Sequence, residues 1–169
     1  MADPLIRKLG KPLRLKGYRV VYREFAKAPL EARAEGRFNR QGEGRTTYLS
    51  LTLKTAALEV AKRWGSVGVN RAAYVAFEVP VRLNRVVDLT NPGVVAALGV
   101  SRETLIGADL APCRALVSRL RAAGIEGILT WSSAEPEEKN LVVFLDQLNP
   151  ESSVGPPTAL GSLEKEDKL

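Results

Sequence analysis

Strand-like and helix-like periodicities follow one another irregularly along this chain, and that order narrows the architectures open to it. Alternation over 18–23 predicts a first strand, and a second follows at about 46–51. Between them, residues 26–45 are polar and glycine-containing. A loop of that length is uncommon in a compact domain and is often functional. Thr52 is placed as an N-cap, and Leu53, Ala56, Ala57, Val60, Ala61 and Trp64 share one helical stripe that Gly65 should end. Residues 72–81 read as a strand, with 82–89 extending or re-entering the sheet. Pro92 opens a short helix ending near Gly99, and a weaker helical turn runs from Ser101 to about Gly107. Pro112 starts a further helix whose buried stripe is Leu116, Val117, Leu120 and Ala123, and Gly124 stops it. The last strands are 127–131 and 141–145. Strict βαβ alternation is missing, so the expected class is α+β rather than a doubly wound parallel sheet.

With 169 residues the chain suits one domain, and 45% apolar with 26% charged residues suits a globular one. Its apolar runs are far short of the roughly 20 residues that span a bilayer, and the N-terminus lacks the order of a signal peptide. One cysteine, Cys113, excludes an internal disulfide and reads as a small buried side chain. These features fit a reducing cytoplasm. With no histidine, a transition-metal site is not expected. The net charge of +6 is concentrated at the front, where residues 1–45 carry twelve Lys/Arg against five Asp/Glu. Such a front suits an anionic ligand, nucleic acid or an acidic protein. No zinc-finger, homeodomain-like or RNP pattern accompanies it, so direct nucleic-acid binding is not expected.

Several residues can carry chemistry at fixed spacings. Gly36-Arg37-Phe38-Asn39 precedes Gly42, then Tyr48-Leu49-Ser50, then Ala57-Leu58-Glu59. Tyr22-Arg23 lies upstream, and Trp131-Ser132-Ser133 lies ahead of Asn140-Leu141-Val142. Guanidinium groups bind phosphate oxygens bidentately, which suits Arg23 and Arg37. A carboxylate such as Glu59 stabilises an oxocarbenium-like state. Tyr48 can stack on a ring or hydrogen-bond, and Ser133 can orient a polar group. Singly, each has a plainer explanation. The arginines are ordinary surface residues, Tyr48 is a sheet residue and Ser133 a turn residue. Glu59 falls about 130° from the centre of its helix's apolar stripe, which reads as a solvated face.

Taken together, this order resembles the RES domain family over about residues 17–148. The adjacent serines leave Ser132 as an alternative to Ser133, which is preferred by register. Phe38 stands where the family often has Trp. The resemblance implies a single α+β domain similar to the ADP-ribosyltransferase fold of the diphtheria-toxin type, with mixed central sheets and flanking helices. The resemblance gives a domain at 1–148, beyond which the prolines, small residues and mixed charges of 149–169 read from composition as a disordered tail. The resemblance further implies a toxin that consumes NAD+ by cleaving the nicotinamide–ribose bond, with water, phosphate or a protein as acceptor. The substrate contacts would be Arg23, Arg37, Tyr48 and Ser133, with Glu59 facing the developing charge. An Xre-type antitoxin is the implied partner. Two other functions remain open on the residues: ADP-ribosylation of one specific protein, and non-enzymatic binding of nucleic acid or an acidic protein by the basic front.

Overall fold

The computed structural model describes residues 2–32, 34–64 and 70–163, the side chains of 63 and 64 excepted. Among the described residues, seven strands and five helices make a mixed α+β domain. The chain opens with α1 (Pro4–Leu9), capped by Asp3, and passes directly into β1 (Lys11–Tyr22). Then come β2 (Thr46–Ser50), α2 (Leu53–Trp64) and the long β3 (Tyr74–Asp88). Three helices follow, α3 (Pro92–Leu98), α4 (Arg102–Ile106) and α5 (Ala111–Ala122). The chain finishes with β4 (Gly127–Trp131), β5 (Lys139–Phe144), β6 (Ser153–Val154) and β7 (Thr158–Ser162). Helix entries carry the expected chemistry. The Thr52 hydroxyl accepts from the Thr55 amide, Asn91 and Ser101 cap α3 and α4, and Gly99 takes a left-handed φ of 70°.

The strand pairings close on themselves. One edge of β3 pairs antiparallel with β1, from Lys11↔Val86 to Tyr22↔Tyr74. Its other edge takes β7, then β6, then β4, the last in parallel. From β4 the ladder runs antiparallel to β5 and on to β2. It returns to β1 through a single pair, Tyr18↔Ser50. Beyond that pair β1 and β2 share no further register pair among the described residues, and a cleft opens there.

Side-chain alternation sorts the apolar residues into three clusters. Leu49, Val79, Val81, Leu83, Leu141 and Val143 share the inner cluster. On the opposite face Ile128, Val142 and Phe144 pack against Cys113, Leu116 and Leu120 of α5 and Leu105 of α4. Tyr74, Ala76 and Leu163 pack with Leu53, Ala57 and Val60 of α2. The predicted α2 stripe therefore faces the sheet as far as the described side chains go. Gly65, the expected stop, lies outside the described residues.

The structure corrects the expected tail. Residues 153–154 and 158–162 are strands of the sheet, and Leu163 is buried. Glu126, fully buried, accepts from the amides of Asn84, Arg85 and Asn149, which ties the segment after β5 to the core. The prolines and small residues that suggested disorder serve turns between short strands. Positions 164–169 lie outside the described residues. The 72–81 and 82–89 segments form one continuous strand, β3.

Candidate active site

A cavity of about 450 Å³ opens where β1 and β2 part, within the range of about 300–1,000 Å³ typical of small-molecule sites. Its lining includes Arg19, Arg37, Tyr48, Glu59, Trp131 and Ser133. Register explains the floor. Tyr48 faces Val142, and Thr130 faces Asn140, so cross-strand neighbours present side chains to one surface.

Glu59 is the best-supported polar group in the cleft. Its Oε1 accepts from Ser132 Oγ (2.6 Å), Asn140 Nδ2 (2.8 Å) and the Ser133 amide (3.1 Å). Its Oε2 accepts from Ser133 Oγ (3.1 Å) and keeps further acceptor capacity. Burial pushes the carboxyl pKa up, but the bonds from Ser132, Asn140 and Ser133 outweigh that and hold it below the usual value. Direction is enforced at Ser132. Its Oγ already accepts from the Ala134 and Glu135 amides, so its proton is left for Glu59.

The expected solvated face of α2 is a docking face. Thr55, Glu59 and Lys62, at helical spacing, all bond to the segment after β4. Thr55 Oγ1 donates to Glu135 (2.6 Å), Glu59 takes the serine bonds, and Lys62 donates to the Ser133 carbonyl. Thr55 is fully buried. A polar stripe at i, i+4 and i+7 is thus satisfied by one loop, which angles the carboxylate into the cleft.

Arg37 and Tyr48 form a second unit. The Tyr48 hydroxyl donates to Asn39 Oδ1 (2.5 Å) and accepts from the Phe38 amide (3.1 Å), pinning the turn that carries Arg37. Gly36 is required there, since a Cβ would sit 2.5 Å from that hydroxyl. Burial pushes the tyrosine pKa up to about 12, against smaller opposing effects of the Phe38 amide, Arg114, Arg19 and Arg37. Its hydroxyl is therefore neutral near pH 7. Arg37 donates to the Gly107 carbonyl at 2.6 Å, which fixes it against the turn after α4.

Arg23 lies elsewhere. The chain leaves β1 at Tyr22, and Arg23 in the following turn donates to the Ala72 carbonyl at 2.9 Å. Arg19 of β1 lines the cleft together with Arg37, and it donates to the carbonyls of Tyr48 (2.8 Å) and Glu31 (3.1 Å). Sequence reasoning also passed over Asn140. Its signal was present, an amide at the start of the otherwise apolar run Asn140–Phe144. Both serines reach Glu59, and Ser132 is the more buried. Among the described residues no group of three or more potential metal ligands occurs, and no helix is long and apolar enough to cross a membrane.

The fold and cleft define a class: an α+β domain with a hydrogen-bonded carboxylate and two arginines lining one pocket. The profile of the RES domain family matches residues 14–160, and the chain belongs to that family. No curated protein matches it. Among solved structures it is similar to a chain in the crystal structure of the M. tuberculosis MbcT–MbcA toxin–antitoxin complex. The TM-score is 0.72 at 20% identity, covering 94% of this chain and 93% of that one, which shows a shared fold.

Proposed function

We propose that the protein is a toxin-like enzyme of a toxin–antitoxin pair that cleaves NAD+ at the nicotinamide–ribose bond. The carrying observation is the Glu59 carboxylate, held ionised by Ser132, Ser133 and Asn140 in a cleft that also holds Arg19 and Arg37. The two guanidinium groups supply positive charge for the pyrophosphate, with Arg19 in the role first given to Arg23. Rupture sends the bonding pair to the pyridinium nitrogen, which leaves as neutral nicotinamide. The positive charge passes to the ribosyl anomeric carbon and ring oxygen, where a fixed carboxylate stabilises it. Water or phosphate then attacks that carbon, and the proton of an attacking water is released to solvent. The leaving group needs no strong acid, so a site without histidine suffices. The ADP-ribosyltransferase type of fold implied by the family suits this chemistry.

The similarity to the MbcT–MbcA complex supports an antitoxin partner, of the Xre type that the family implies, and a cytoplasmic setting. Purified protein mixed with NAD+, with and without phosphate, should release nicotinamide and a ribosyl product identifiable by mass. Glu59→Gln should lower the rate by about a hundredfold or more, the scale of losing one preorganised electrostatic group. NAD+ that stays intact under both conditions would refute the reading.

A further inference from the structure

The cleft contains one aromatic ring whose backing is unusual. Trp131, at the end of β4, lines the cavity two residues before Ser133. Against its ring lies the Arg102 guanidinium, 4.2 Å from the centroid. Arg102 is held there by a 3.0 Å bond to the Pro136 carbonyl, and it lies outside the cavity lining. A cation therefore lies against one side of the indole, and the same residue, Trp131, lines the cavity. Of the other aromatic side chains in the lining, Phe38 is buried, and Tyr48 has its hydroxyl committed to the Phe38–Asn39 turn.

We propose that Trp131 is the stacking platform for the ring of the leaving group, and that Arg102 behind it favours a neutral ring over a cationic one. This rests on the NAD+ reading above and names the residues that discriminate ground state from product. An indole face attracts cations through its quadrupole. With one guanidinium already on the ring, a second cation gains less and is repelled across it. The bound nicotinamide ring is a pyridinium before cleavage. As the bond breaks, the electron pair neutralises it and positive charge moves toward Glu59. Repulsion between Arg102 and the ring is thus relieved along the reaction, a form of ground-state destabilisation. Removing that charge should therefore lower KM and kcat together.

The test uses the full chain and indole fluorescence, titrating nicotinamide and its non-cleavable cation 1-methylnicotinamide. Both should quench the wild type, with the neutral ring binding more tightly. Trp131→Leu should abolish the quench and leave only Trp64 emission. Arg102→Gln, at an exposed position, should narrow the neutral-to-cationic preference and lower kcat and KM for NAD+ together by about three- to tenfold. Quenching that survives in Trp131→Leu overturns the platform. An unchanged preference in Arg102→Gln overturns the charge effect. Ring quenching by a protein that leaves NAD+ intact would uphold the platform while refuting the cleavage reading.

Discussion

Replacing Glu126 by Gln perturbs the fully buried carboxylate on which the C-terminal part of the sheet depends, without changing its volume. One oxygen accepts from Asn84 and Arg85 at 2.8 and 2.7 Å, and the other from Asn149 at 2.8 Å. Glutamine has a single acceptor oxygen, best spent on the paired amides of β3, which sets its NH2 group against the Asn149 amide. The loss is one charge-assisted bond plus an unsatisfied buried donor, together about 2–4 kcal/mol. For a domain of this size that lowers Tm by about 5–12 °C. Circular dichroism should record the shift, and hydrogen exchange should rise first over residues 149–154. The sign with pH follows from the folded state. Burial pushes the Glu126 carboxyl up, but the Ser152 side chain and the amides of Asn149, Arg85 and Asn84 hold it below its ordinary value. Its stabilisation is therefore complete above the ordinary carboxylate pKa and lost as pH falls through the depressed one. The Gln variant should lack that component of acid sensitivity. A Tm within about 1 °C of wild type, with unchanged exchange, would refute the assignment of Glu126 as the tether.

Three further outcomes follow from the cleft. Ser132→Ala removes the shortest bond to Glu59, so the acid limb of the rate profile should move up by about one pH unit, the equivalent of about 1.4 kcal/mol. Arg19→Ala should raise KM for NAD+ by at least tenfold, about 1.4 kcal/mol, whereas Arg23→Ala should leave it within about twofold. Tyr48→Phe strands the Phe38 amide and Asn39 Oδ1, costing about 1–3 kcal/mol in a denaturant titration and loosening the turn that carries Arg37.

Much of the fold was legible because local periodicity and local breakers decide it. The strands at 46–51 and 127–131, the α2 stripe and the α5 stripe with its Pro112 start follow from side-chain spacing alone. The order Arg37, Tyr48, Glu59, Ser133 was likewise readable as a pattern. Arg19 and Arg23 were not separable that way. They sit four residues apart and would share a face of one strand, so only the exit of the chain from β1 at Tyr22 distinguishes them. The 149–163 segment misled for a related reason. Its strands of two and five residues carry no usable period, and they form because β3 is long enough to offer its second edge.

By itself, then, the sequence determined which segments are helical or extended and which chemical groups are available, since those depend on neighbours a few residues away. The tertiary structure decided where Glu59 points. Helical period places it off the apolar stripe, and that angle is compatible with water or with a partner. The Ser132–Glu135 segment, some 75 residues later, supplies the hydroxyls and amide that make it a cleft carboxylate. Long-range hydrogen bonds of this kind are set by packing, because an ionised group in a half-buried position is stable only where distant donors converge on it.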